Sequence, residues 1–316
     1  MRILGIVGSR RKLGNTEIMV KEALKGAREE GADIALLRMS DLYIRECNGC
    51  EACVIKGERC VLHDDMDFFE EQLNASDGLI VGGVDYGGAP LGIFKTVSDR
   101  LHGLRDWIER TEERKGITKK AITIGAAGWR RIQYWIIPLL NNFTTLCGFD
   151  VLASFVGISI GPGEVLLPER ETIPREVNRL GHDLVFALKG EESRLSDGVR
   201  RLRIFDPQAK GDRLFTQQDC CPYCFGTAFE LVSPRELRCA FCHYTTVHLQ
   251  PKGDRIELRF ETMTEEQRLE QEKYHLEEEV RPSGPQFLSR RGEIEPRRQP
   301  YRDIGIPWEK PPVGKG

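Results

Sequence analysis

The sequence predicts an α/β fold: a doubly wound, five-stranded parallel sheet, then a small β-rich module and a flexible tail. Three observations carry this. Over the first 190 residues short apolar runs alternate with amphipathic segments, as in parallel strands covered on both faces by crossover helices. The stretch 214–260 is instead rich in strand-like runs and carries two Cys-x2-Cys pairs. Beyond Pro282 the chain is dense in Pro, Arg and Gly and loses periodicity, so it is expected to stay extended until something binds it.

The apolar run RILGIV at 2–7 gives the first strand, and an amphipathic helix near 15–30 follows it, with Asn15 or Thr16 as N-cap. The remaining strands are expected at 33–38, 78–84, 120–126 and 151–158, each an apolar run bounded by polar or glycine residues. Helices near 65–74, 90–110, 131–146 and 171–189 provide the right-handed crossovers and close the unit at 190. A charged linker spans 191–213, and the β-rich module 214–260 follows, with strands in YTTVHL and RIELRF. Thr264 and Gln267 form a capping-box pair that starts an acidic helix within 261–280, and 281–316 is the tail. The chain has no internal repeat.

Composition narrows the function classes. The 316 residues are 40% hydrophobic and 30% charged, enough for one sizeable core and a smaller module. A formal net charge of -3 gives no general attraction to polyanions, so neither nucleic acid nor membrane is an expected partner. Met1 runs into the first strand without a signal-peptide pattern, which points to a cytoplasmic protein. Nine of the ten cysteines fall within 47–60 and 220–242, and in a reducing compartment such clusters favour metal over disulfides. Cys147 stands alone and reads as a small buried residue.

GSRRKLGNT, at 8–16, joins the first strand to the first helix and offers Ser9, Arg10, Gly14, Asn15 and Thr16 where a helix dipole favours an anion. It lacks the Lys of a Walker loop and the Gly pattern of a dinucleotide fingerprint, so a monophosphate fits better; an ordinary strand-to-helix turn is the alternative. At the same sheet edge the third strand leads into Tyr86-Gly87-Gly88 and the fourth into Gly128-Trp129. An aromatic ring beside bare backbone on converging loops suits a flat ring system, with loop packing as the plainer reading. No Ser-His-Asp, paired-carboxylate or Cys-His arrangement competes as a catalytic site.

ECNGCEACVIKGERC places Cys47, Cys50 and Cys53 at intervals of three, with Cys60 arriving from a short turn. Three thiolates from one tight run plus a nearby fourth suit a 4Fe-4S cluster, whereas a structural zinc ion more often takes two separated knuckles. Cys221, Cys224, Cys239 and Cys242 have that second spacing and resemble a zinc ribbon or a rubredoxin-like module. Phe225 and His243 occupy the positions where rubredoxin-like knuckles usually carry Gly, which favours zinc over iron; Cys220 reads as a bystander. A unit of this size relies on its metal for folding, and the larger unit is expected to fold without it.

Taken together, GSRRKLGNT, CNGCEACVIKGERC followed by HDDM, and YGGAPLGIFKTVSDR resemble the NADPH-dependent FMN reductase group of flavodoxin-like proteins, and within it the iron-sulfur flavoproteins. The resemblance covers roughly residues 1–190. It implies that Ser9, Arg10, Asn15 and Thr16 hold the FMN phosphate, that Tyr86, Gly87 and Gly88 lie along the isoalloxazine, and that the four cysteines of 47–60 hold a 4Fe-4S cluster. It also implies a homo-oligomer. Val84 stands where the family usually has Pro, and AAGWRRIQY replaces a glycine-rich stretch. Lys95, Asp99 and Arg100 are in family register and read as an ion-pair network on their helix. The expected function is an FMN-dependent oxidoreductase passing electrons between a donor, the cluster and the flavin. The alternatives are an NAD(P)H-dependent flavin or quinone reductase with structural cysteines, and a redox-sensing binding protein using the ribbon and tail.

Overall fold

The computed structural model describes residues 1–53, 59–101, 119–127, 135–158, 163–196, 202–205, 213–215, 220–224, 226 and 228–274, with residues 277–278, 285, 289 and 292 besides. In chain order the elements are β1 (Arg2–Gly8), α1 (Asn15–Glu29), β2 (Asp33–Arg38), α2 (Met66–Asn74), β3 (Gly78–Tyr86), β4 (Ala89–Pro90), α3 (Ile93–Ser98), β5 (Lys120–Ala127), α4 (Ile136–Leu146), β6 (Asp150–Ile158), α5 (Thr172–Lys189), β7 (Leu202–Phe205), β8 (Arg213–Phe215), β9 (Phe229–Ser233), β10 (Glu236–Cys239), β11 (Thr245–Lys252), β12 (Arg255–Thr262) and α6 (Glu265–Tyr274).

The larger sheet runs β2-β1-β3-β5-β6-β7-β8, with β4 paired to β3. Its first five strands are parallel, and their order reverses between β1 and β3, so the crevice beyond their carboxyl ends is where an open α/β sheet takes its ligand. Alternation along the strands buries both faces. Ile3, Val7, Ile80, Ile122 and Ile124 meet Met19, Val20 and Leu24 of α1 and Val177, Leu180 and Leu184 of α5. Leu4, Ile6, Leu79 and Val81 meet Phe69 of α2, Phe94 of α3 and Ile136, Leu140 and Phe143 of α4.

The sheet is wider than the five strands expected. β7 adds in parallel to β6, with Ser154 opposite Leu202, and β8 returns antiparallel, with Leu202 opposite Phe215. Both lie in or against the segment read as a charged linker. Four and three residues are too few for hydrophobic alternation to stand out among flanking charges; the pairing comes from β6, distant in sequence.

The second sheet, β12-β11-β10-β9, is antiparallel throughout. It docks on α4. Asn141 Nδ2 donates to the Cys224 carbonyl at 2.8 Å, and the Asn141 Oδ1 accepts from Thr123 Oγ1 of β5 at 2.6 Å and Ser154 Oγ of β6 at 3.2 Å. Trp135 and Phe241 meet edge to face at 5.1 Å between ring centroids. Cys220, read as a bystander, is 1% exposed and belongs to the apolar layer beneath α4. The two units therefore share a buried contact rather than a bare tether. The expected capping box forms at α6, with Thr264 N donating to Gln267 Oε1 at 2.8 Å and Gln267 N to Thr264 Oγ1 at 3.2 Å.

Candidate cofactor and metal sites

The loop 8–16 leaves β1 at the switch point and enters α1 with Gly14, not Asn15 or Thr16 as expected, at the N-cap, so no side chain lies over the first turn's N–H groups. Those donors and the helix dipole are what an anion needs. Ser9 and Thr16 are buried under the loop, and Arg10 is exposed beside it. Phe94 packs against the turn so closely that a Cβ on Gly8 would stand 2.0 Å from its ring, so a side chain there would push the loop off the sheet. Asn15 Oδ1 accepts the Gly163 N–H at 2.9 Å, tying the loop after β6 to the same spot. The donor set fits a phosphate monoester.

Glu17 was not singled out by the sequence, yet it organises this loop. Its carboxylate accepts the Leu13 N–H at 2.9 Å, where Leu13 takes a positive φ of 50°, and pairs with Arg38 and with Lys21, the latter at 2.7 Å. Burial pushes the Glu17 carboxyl up, but the Lys21 and Leu13 hydrogen bonds and the Arg38 charge outweigh it and hold its pKa below the ordinary 4.5. A depressed carboxylate stabilises the fold above its unfolded pKa, and the contribution is lost as pH falls through the lowered folded value. Glu17→Gln is thus expected to cost about 1–3 kcal/mol at pH 7. In urea titrations across pH, the gap to wild type should close in acid below about 4.5; a gap independent of pH would contradict this.

The β3–β4 hairpin turns on Gly87 and Gly88, with φ of 66° and 91°, a pair of left-handed positions that two adjacent glycines fill without strain. Asp85 Oδ1 accepts the Gly88 N–H at 2.8 Å, and burial, partly offset by that bond, pushes its carboxyl up. Tyr86 stands 53% exposed at the strand end, an open aromatic face beside bare backbone. Gly128 and Trp129 lie outside the described residues.

β2 is an edge strand, and the cysteine loop leaves its carboxyl end. Arg38, its last residue, reaches the phosphate loop through Glu17 and through the Arg10 carbonyl at 3.5 Å, so the strand end from which the cysteine loop departs is tied to the phosphate loop. Cys47 and Cys50 are exposed and Cys53 and Cys60 half-buried. The Cys50 N–H is held by Asn48 Oδ1 at 3.2 Å, and Gly49 and Glu51 take positive φ of 64° and 58°. Among the described residues these four sulfurs form no group within ligand distance of one another. The run nevertheless offers four thiols on a loop whose neck is laced: Asp65 exchanges backbone and side-chain bonds with Tyr43, and Asp64 Oδ2 accepts the Arg45 N–H at 2.8 Å. That donor set fits a cluster. His63 is exposed beside this neck, as expected of a loop residue.

The sulfurs of Cys221, Cys224, Cys239 and Cys242 do converge, all within 4.8 Å of one another. Cys221 and Cys242 stand 3.7 Å apart and Cys224 and Cys239 3.5 Å. Hydrogen bonding with Cys224 pulls the Cys221 thiol down, and hydrogen bonding with Cys221 pulls Cys239 down, while the protons shared with Cys221 push Cys224 and Cys242 up. Four thiols this close cannot all ionise alone; a cation taking the place of the shared protons resolves the conflict. The Tyr223, Gly226 and Tyr244 N–H groups reach Cys221, Cys224 and Cys242 sulfurs at 3.4 Å each. His243 adopts the left-handed φ of 61° expected of glycine. The missing glycines therefore do not cost the second knuckle its N–H···S donor, and that reason for preferring zinc falls away.

Comparison with known proteins gives the family. An iron-sulfur flavoprotein of Methanosarcina thermophila is 37% identical over 183 residues, 57% of this chain and 93% of its own. One from Methanocaldococcus jannaschii is 32% identical over 172 residues, 52% of this chain and 86% of its own. A solved flavone reductase shares the fold at 18% identity and TM-score 0.67, with 98% of this chain and 100% of its own covered. No helix among the described residues is long and apolar enough to cross a membrane. Residues 1–159 match the family model described as NADPH-dependent FMN reductase, and the chain belongs to that family of flavin-dependent oxidoreductases.

Proposed function

We propose that the protein is a cytoplasmic iron-sulfur flavoprotein, in which FMN sits on the loops 8–16 and 86–88, with Gly128 and Trp129 completing the site, and Cys47, Cys50, Cys53 and Cys60 hold a 4Fe-4S cluster. The observation that carries the reading is the tie from Arg38, the last residue of β2, to the phosphate loop, so that the strand end from which the cysteine loop departs and the phosphate loop share one sheet edge. FMN would supply two-electron exchange with a donor and the cluster one-electron exchange with an acceptor, or the reverse. The chain's own part is binding and position: Ser9, Arg10, Gly14, Asn15 and Thr16 at the phosphate, Tyr86, Gly87 and Gly88 along the ring. NAD(P)H or a redox protein is the partner class, and the exposure of Cys47 and Cys50 gives a protein partner access. A homo-oligomer would bring each cluster near a neighbour's flavin. Cys221, Cys224, Cys239 and Cys242 hold structural zinc, a closed four-thiolate site with three of its cysteines buried.

Anaerobic reductive titration, read by flavin absorbance and EPR, tests the electron route. Uptake of about three electrons per chain, with a cluster signal appearing, is expected. Uptake of about two, all in the flavin, would leave a flavin or quinone reductase with structural cysteines.

Replacing Asn15 and Thr16 together by Ala removes donors whose charge-assisted bonds are worth about 1.5–3 kcal/mol each. It also breaks the tie to Gly163. FMN is expected to be lost on desalting from this variant and retained by wild type; equal retention would contradict the phosphate assignment.

A further inference from the structure

Arg100 does not join the helix-surface network that the sequence suggested. Lys95 and Asp99 pair with each other in solvent at i,i+4, whereas the Arg100 side chain turns inward and is 1% exposed. It follows α3, and its guanidinium lies across the neck of the cysteine loop. Nη1 donates to the Arg45 carbonyl at 3.1 Å and to the buried Asp64 carboxylate, and Nη2 contacts the Leu62 carbonyl at a long 3.5 Å. Asp64 in turn accepts the Arg45 N–H at 2.8 Å and the Met66 N–H at 3.1 Å. Arg45 lies two residues before Cys47 and Leu62 two after Cys60, so one cation grips both ends of the segment bearing the four thiols.

Two further features make this more than a loop staple. A guanidinium does not give up its proton in a protein, and pairing with the buried Asp64 carboxylate keeps this charge in the interior, with the Cys60 thiol beside it. Its Nε is buried and meets no acceptor among the described residues. An interior N–H donor left over beside the Cys60 thiol is matched by a sulfur acceptor, and a cluster held by four thiolates is anionic in either oxidation state. A fixed positive charge at that distance favours the more negative, reduced form.

We propose that Arg100 is the positioning residue of the 47–60 centre and sets its reduction potential, closing the loop neck with its fork and holding a buried positive charge against the cluster sulfurs. This rests on the cluster reading above.

The test uses full-length protein purified anaerobically, with iron, acid-labile sulfide and FMN measured first on wild type. Sulfide missing from wild type overturns the cluster reading, and this inference with it, before any variant is made. Arg100→Gln and Arg100→Lys are then compared by EPR-monitored redox titration and by amide exchange over residues 43–47 and 59–66, with FMN content as the check on folding. Arg100→Gln is expected to shift the cluster's oxidised-to-reduced ratio at fixed potential by about tenfold toward oxidised, a midpoint more negative by about 59 mV for one electron. Arg100→Lys keeps the charge, so its midpoint should stay close to wild type, while amide exchange at the neck speeds up because an ammonium cannot span Arg45, Leu62 and Asp64 together. If Arg100→Gln loses FMN as well as iron, the Lys variant decides: wild-type exchange at the neck overturns the proposal. So does an Arg100→Gln protein with full cluster content and an unmoved midpoint, or a Lys variant shifted as far as Gln, which would mean the charge is not what sets the potential.

Discussion

Cys50→Ala is expected to strip the 47–60 centre of its iron and sulfide while leaving bound FMN at the wild-type level. Cys50 is the middle thiol of the tight run and is exposed, so the substitution removes a ligand without opening a cavity. The loop neck holds through Arg100, Asp64 and Asp65, none of which contacts Cys50 in the set of bonds that laces it. The phosphate cradle is built from other residues, anchored by Glu17 and Asn15. Iron, sulfide and flavin analysis on the same preparation reads both halves. Full iron retention would remove Cys50 from the ligand set, and joint loss of FMN would mean that the two loops fold as one unit.

The second large effect is expected at the other metal site. Cys221→Ser with Cys239→Ser takes one thiol from each knuckle of a unit in which the proposed zinc would supply folding free energy, on the order of 10–16 kcal/mol for structural zinc sites of small domains. Amide exchange across β9 to β12 should become fast. The larger unit should survive but not untouched, because Asn141, buried between β5, β6 and the first knuckle, loses the Cys224 carbonyl. An amide donor stranded there costs about 1–3 kcal/mol, or roughly 2–4 °C in Tm per kcal/mol for a unit of that size. Differential scanning of the FMN-loaded variant checks this. Protected amides in the module would show that its core, not its metal, holds it together. Recovery of iron with a rubredoxin-type spectrum from the wild-type site would make the module a redox centre.

The parallel sheet and its ligand edge were legible because each depends on local pattern: continuous apolar runs for strands both faces of which are covered, and a turn sequence that must follow β1 and precede α1. β7 and β8 were not, since so short a strand is decided by the neighbour it pairs with. The four-thiol knuckles could be read from spacing alone, as each pair spans one turn. What the sequence could not yield were the residues acting across long separations. Arg100 meets Asp64 and Arg45 at separations of 36 and 55 residues, and Asn141 meets Cys224 at 83. Glu17 is a similar case: at its position an acidic residue in a first helical turn already favours the dipole, and only Arg38, from the next strand, gives it the further role of tying the phosphate loop to the end of β2. His243 shows the converse, a position where a residue rule pointed away from a conformation that the knuckle imposes anyway.

The central claim is that one chain carries a flavin and a cluster on adjoining loops, and composition of the native protein tests it most directly. Wild-type protein purified without exposure to air should contain about one FMN, about four iron and about four acid-labile sulfide per chain, with about one zinc besides. FMN accompanied by about two zinc and no sulfide would contradict it, leaving both cysteine sets structural.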